Sequence, residues 1–144
     1  MTKTAFLFAG QGAQYLGMGR DLYDRYPIVK ETIDQASQVL GYDLRDLIDK
    51  EETKLNQTRY TQPAILATSV AIYRLLKEKG YQPDMVAGLS LGEYSALVAS
   101  GALDFEEAVA LVAKRGAYME EAAPAGSGKM VACLLYTSPS PRDR

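Results

Sequence analysis

Residues 84–101 read DMVAGLSLGEYSALVASG, and the order of elements inside this stretch decides the fold. Met85-Val86-Ala87-Gly88-Leu89 is a short apolar run suited to a buried strand, while residues 91–100 are rich in Ala, Leu and Val and are followed by Gly101, a helix and its stop signal. Between them Gly88-Leu89-Ser90-Leu91-Gly92 fits G-x-S-x-G, the pattern of a nucleophile elbow. A strand-to-helix turn this sharp leaves no room for neighbouring Cβ atoms and pushes the serine hydroxyl out of the sheet. The alternative is a serine that serves the tight turn only. A serine nucleophile also needs a base, usually histidine, and the chain contains no histidine.

Working outward, residues 4–9 form a continuous apolar run ending in glycine, suited to a buried first strand of a parallel sheet. Residues 10–20 are glycine-rich and read as loop. Pro27 fits the first turn of a helix that carries Ile28, Ile33, Ala36, Val39 and Leu40, with Gly41 just past its end. Leu44, Leu47 and Ile48 suggest a short helix, and the charged residues 50–59 read as an exposed connection. Ile65, Thr68, Ile72, Leu75 and Leu76 then recur at helical spacing up to Gly80, which predicts a largely buried helix. Asp104 and Glu107 form a cap-like D-x-x-E pair ahead of Ala108, Leu111, Val112 and Met119, so another helix is expected to about Ala123. Residues 124–128 open a loop into a last, interrupted strand at 129–132. Strands alternating with helices predict an α/β fold, a parallel sheet with flanking helices.

Composition bounds the function. The 144 residues suffice for one domain with a buried core, and 47% hydrophobic content suits a globular chain. A net charge of −2, with 16 basic residues spread along the chain, gives no electrostatic footprint for nucleic acid. No apolar run approaches the roughly 18 residues that span a bilayer, and no signal-peptide pattern precedes the first strand, so no membrane partner and a cytoplasmic location are expected. A single cysteine, Cys133, permits neither an internal disulfide nor a zinc cluster, and no metal ligand set is expected. Residues 133–144 change character abruptly to a Ser/Pro/Arg terminus that resembles translated read-through of a sequencing-library adapter. On that reading residues 133–144 are a non-native tail, native sequence stops near Ala132, and a genuine disordered terminus is the alternative.

A second motif, Gly10-Gln11-Gly12-Ala13-Gln14, follows the first strand. It lacks the third glycine of a dinucleotide fingerprint, since Tyr15 stands there, and the Gly-Lys-Ser/Thr ending of a phosphate-binding loop. A glycine loop at the C-terminal edge of a parallel strand can present a backbone N–H to a ligand. Its use as an oxyanion donor and its use as mere chain reversal stay equally open on the residues alone.

The residues FLFAGQGAQ near the start, TQPA at 61–64, GLSLGEYSAL at 88–97 and KRG at 114–116 resemble, in order and spacing, the N-terminal half of bacterial malonyl-CoA:acyl-carrier-protein transacylases. The resemblance covers residues 4–132. It implies an α/β-hydrolase-like acyltransferase core over residues 1–125, with residues 126–132 as the start of a small ferredoxin-like subdomain that the chain does not complete. It also implies an [acyl-carrier-protein] S-malonyltransferase of fatty-acid biosynthesis that moves malonyl from malonyl-CoA to acyl carrier protein. No metal or redox cofactor is implied, and the complete protein is expected to be a monomer.

By the same resemblance Ser90 is the nucleophile, the backbone N–H groups of Gln11 and Leu91 hold the oxyanion, Arg115 binds the malonyl carboxylate and Gln62 lines the pocket. On the residues alone Arg115 reads better as a surface arginine. Leu89 stands where many relatives have histidine, a difference that bears on substrate preference. The family's catalytic histidine lies downstream of the matched stretch, so this chain by itself is expected to be inactive. A polyketide-synthase-type acyltransferase domain, a serine hydrolase of related fold and a non-catalytic carrier-protein-binding module are the alternatives. The start methionine close to the first strand favours a free-standing protein, and Arg115 argues against a neutral-acyl hydrolase.

Overall fold

A computed structural model of the chain describes residues 2–129 and 131. Two strands, β1 (Ala5–Phe8) and β2 (Met85–Gly88), pair in parallel with Ala5 opposite Met85 and Phe8 opposite Gly88. Parallel neighbours need a long crossover. Here it contains five helices: α1 (Arg20–Arg25), α2 (Pro27–Leu40), α3 (Leu44–Lys50), α4 (Glu52–Leu55) and α5 (Thr58–Glu78). After β2 come α6 (Leu91–Ala99) and α7 (Phe105–Ala122). The fold is α/β, with a small parallel sheet and flanking helices.

Start and stop signals act as the sequence predicts in several places. Pro27 occupies the first turn of α2, and Gly41 closes it in the left-handed region at φ 79°. The Asp104 carboxylate accepts from the N–H groups of Glu106 and Glu107, satisfying two otherwise orphaned donors of α7. Thr4 N–H donates to the Asp84 carboxylate and Asp84 N–H to the Thr4 carbonyl, fixing the entry to the two strands at 2.8 Å each.

The core lies between the helices rather than on the sheet. Ile33 and Ala36 of α2, Leu66 and Val70 of α5 and Val109 and Val112 of α7 are all buried, with α5 at the centre. Phe6 and Phe8 meet Tyr73 of α5 edge-on at 6.2 and 6.4 Å, which ties the sheet to that helix.

Several boundaries differ from the sequence reading. Residues 50–59 are not a plain exposed connection: α3 ends at Lys50, α4 forms, and Leu55 is fully buried. The central helix begins at Thr58, seven residues before Ile65, and runs through Pro63. Arg20, assigned to a loop, starts α1, and Leu89 lies beyond the end of β2. Leu111 and Ile72, expected on inward stripes, are exposed. Lys129 and Val131 carry no strand, whereas Met130, Ala132 and the expected tail at 133–144 lie outside the described residues. Among the described residues no helix is long and apolar enough to cross a membrane, and no cluster of metal-ligating side chains forms.

Candidate active site

The turn at Ser90 is built by two close backbone approaches. A Cβ on Gly88 would collide with the backbone of Gly92, and one on Gly92 would collide with the Phe8 carbonyl at the end of β1. Both positions therefore require glycine, and α6 is seated directly on the sheet edge. Ser90 itself takes φ 54° and ψ −109°, the only positive φ at a non-glycine residue among those described. The side chain stays exposed while Leu91 and Gly92 beneath it are buried. A residue held in such a sparsely populated conformation stores on the order of 1–3 kcal/mol of strain.

Gly10 is the third close approach. Its Cβ would stand 2.6 Å from the Leu89 carbonyl oxygen, so the loop after β1 lies against the elbow. Next to it, Gln11 begins a turn closed by Ala13 N–H donating to Gly10 O at 3.3 Å. Among the described residues, neither the Gln11 nor the Leu91 N–H donates to a protein acceptor. Both remain free for another oxygen.

Arg115 comes from α7, where Gly116 makes its placement possible. A Cβ on Gly116 would stand 2.8 Å from the Thr58 carbonyl oxygen, so α7 presses against the first turn of α5 at this point. The Arg115 guanidinium donates through Nη2 to Ser90 Oγ at 3.2 Å and through Nη1 to Gln62 Oε1 at 2.9 Å. Gln62 is fully buried, and its Nε2 donates to Met119 Sδ at 3.1 Å. Tyr94, one helical turn after Ser90, lies under the guanidinium at 5.4 Å from ring centroid to Cζ. The cation is thus braced by Gln62 and Tyr94, with Nη2 directed at the serine. A cleft of about 410 Å³ continues from Arg115 along Leu111, Lys114, Tyr118, Met119 and Ala122.

Ser90, Arg115 and Gln62 meet directly, and the Gln11 loop adjoins them through Gly10. Tyr94 and Met119 were missed as site residues. The i, i+4 spacing of Tyr94 from Ser90 and of Met119 from Arg115 is the signal that places each beside its neighbour.

Residues 5–142 match the acyl transferase domain family. The chain belongs to that family. Within it, a malonyl CoA-acyl carrier protein transacylase of Bacillus subtilis (strain 168) is 51% identical over 135 residues, 93% of this chain and 43% of that protein. The transacylase of Haemophilus influenzae is 54% identical, with 93% and 44% covered. The crystal structure of MCAT from Streptococcus pneumoniae superposes with a TM-score of 0.84 at 93% identity, over 85% of this chain and 40% of that one. This acyl transferase chain therefore spans about 43% of the length of the curated relatives it matches.

Proposed function

We propose that this chain carries the nucleophile and substrate-binding half of a malonyl-CoA:acyl-carrier-protein transacylase of fatty-acid synthesis. The observation that carries the reading is the guanidinium of Arg115, braced by buried Gln62, donating to the exposed hydroxyl of Ser90 at 3.2 Å. A cation so close to an acyl acceptor suits an acyl group that ends in a second carboxylate. A planar guanidinium binds a carboxylate through two parallel bonds, each contributing roughly 1.5–3 kcal/mol, and a neutral acyl chain forfeits both.

In the first step Ser90 Oγ attacks the thioester carbon of malonyl-CoA, its proton passes to a base, and the carbonyl oxygen becomes an oxyanion. The N–H groups of Gln11 and Leu91 are suited to receive it, each contributing on the order of 3 kcal/mol to transition-state stabilisation. The C–S bond then breaks and coenzyme A leaves as the thiol, with malonyl held on Ser90 as an ester. A carrier-protein phosphopantetheine thiol reverses the sequence, taking the malonyl group and restoring the hydroxyl. No electron changes hands, so acyl transfer by this route calls for no redox cofactor. A structural neighbour, 51% identical with a TM-score of 0.83, is a malonyl-transacylase in complex with the acyl-carrier protein of a type II polyketide synthase. It supports a carrier protein as the acceptor.

The base is not among these 144 residues as a histidine, and we assign it to the part of the fold that the relatives carry beyond the matched stretch. Alone, the chain is expected to transfer malonyl about a million-fold more slowly than the completed enzyme, the order of loss when the base of a serine triad is deleted. The test joins residues 1–129 to the remaining portion of the S. pneumoniae protein and adds labelled malonyl-CoA. Base-labile label on the joined protein, absent after Ser90→Ala, is the expected result. Label that persists in Ser90→Ala, or none on the joined wild type, overturns the reading.

A further inference from the structure

We infer that Thr58, with Asn56 and Gln14 as its second anchor, is a positioning residue that sets the Gln11 N–H for transition-state binding. The inference rests on the transacylase reading above and concerns residues to which that reading gives no role.

Two side-chain bonds tie the glycine loop to the junction of α4 and α5. Gln11 Nε2 donates to Thr58 Oγ1 at 3.0 Å, and Gln14 Nε2 donates to Asn56 Oδ1 at 3.0 Å. Gln14 also folds back on the loop, its Oε1 accepting from Gly12 N–H at 2.8 Å. The peptide that presents the Gln11 N–H joins residues 10 and 11: the two ties hold its C-terminal side, at residue 11 through its own side chain and at residue 12 through Gln14, while Gly10 on its other side packs against the Leu89 carbonyl. Beyond Gly10 and the turn bond from Ala13 the loop has no other support, since Gly12 sits at φ 109° and Gln11, Gly12 and Ala13 are all exposed.

The support to which the loop is tied is itself rigid. The single hydroxyl proton of Thr61 is shared between the Leu55 and Gln57 carbonyls, 2.5 and 2.9 Å from Oγ1, stitching α4 to the first turn of α5, and Leu55 is fully buried below. Arg59 is held by Glu120 of α7, with backbone N–H and Nε donating to the carboxylate at 3.0 and 2.5 Å. Thr58 and Gln62 stand four residues apart on α5 and so share one face. Thr58 holds the oxyanion loop while Gln62 holds Arg115, so one helical turn sets the distance between the two groups that must grip opposite ends of the acyl group. An oxyanion donor contributes only when aimed at the developing charge, and small misplacements are costly in rate.

The joined protein described above is the host. Thr58→Val removes the acceptor at nearly constant volume and is expected to lower kcat about tenfold, a fraction of the loss of a whole oxyanion donor, with KM for malonyl-CoA changed by less than about twofold. Thr58→Ser, which keeps the hydroxyl, recovers most of that loss. Gln11→Met cuts the same bond from the other side, so adding Thr58→Val to it lowers kcat no further, as two ends of one interaction require. An unchanged kcat in Thr58→Val overturns the inference. So does an equal loss in Thr58→Ser, or an additive loss in the double variant. Each is distinguishable from failure of the transacylase reading, which shows as label surviving in Ser90→Ala.

Discussion

Ser90 holds the least comfortable backbone of the described chain, and the discomfort is local. Glycine alone takes positive φ without a steric penalty, yet the residue here must carry a hydroxyl. The cost is met by the two glycines that admit the turn, by the burial of Leu91 and by the seat of α6 on the end of β1. Ser90→Gly is therefore expected to raise unfolding stability by about 1 kcal/mol, whereas Ser90→Ala, which keeps a Cβ in the same conformation, does not. Urea midpoints of the three proteins at matched slope are the measurement, and equal midpoints for the Gly and Ala variants would refute stored strain at this residue. The elbow was legible as a five-residue pattern because glycine spacing is a backbone requirement written directly into sequence. Arg115 was not: a lysine-arginine pair on a helix reads as a solvated face. Only the resemblance to a family brought it toward Ser90, and its actual bracing by Gln62 and Tyr94 depends on how α5, α6 and α7 meet.

At the scale of elements, α5 was half visible. Ile65 to Leu76 repeat at helical spacing, but the residues ahead of them include Pro63, which lacks a backbone donor, and a charged segment, so the start at Thr58 leaves no periodic mark in the sequence. Its first two turns persist because Thr61, Gln62, Pro63 and Ala64 are all buried, and tertiary burial outweighs a local propensity of roughly 3 kcal/mol. The missed α4 has the same origin: one buried leucine in a charged segment makes no period. Charged residues near it also conceal a partly buried ion pair. Arg45 of α3 grips Asp49 through Nε at 3.0 Å and Nη2 at 2.5 Å and donates to the Met18 carbonyl at 2.9 Å, while Arg20 of α1 reaches the same carboxylate at 2.8 Å. Burial pushes the Asp49 pKa up, but the hydrogen bonds from Arg45 and Arg20 outweigh it and hold the carboxyl below its ordinary value. A depressed carboxylate favours the folded state above the unfolded pKa of about 4, and that contribution is lost as pH falls through the folded value. Stability measured by denaturant titration is thus expected to drop as pH falls below about 4, with a shallower drop in Asp49→Asn. At neutral pH that variant, leaving Arg45 buried without its counter-ion, is expected to cost about 3 kcal/mol. An unaltered acid slope in Asp49→Asn would assign the acid sensitivity to other carboxylates.

For the molecule as a whole, the two-stranded sheet is the informative part. Parallel strands ordinarily have both faces covered, because their crossovers lay helices on each side. Here Phe6, Phe8, Val86 and Gly88 turn toward the helices, while Leu7 at 80% exposure and Met85 at 55% turn away, and Leu89 beside the elbow is 77% exposed. The α/β class was readable from alternating runs, but a run such as FLFA cannot say which of its faces will find a cover. Burial is decided by the neighbours, and this chain spans about 43% of the relatives' length. The bare face therefore gives the chain a physical behaviour of its own. Exposed, contiguous apolar surface binds hydrophobic dye and promotes association. At native pH the chain is expected to enhance anilinonaphthalene sulfonate fluorescence severalfold over a typical monomeric protein, and Leu7→Lys combined with Met85→Lys is expected to remove most of that signal without altering far-UV circular dichroism. Both side chains already point out of the packed core, so the pair of lysines leaves the helical core intact. If the lysine pair left dye binding unchanged, the open surface would have to lie elsewhere, along the cleft of α7 that borders Arg115.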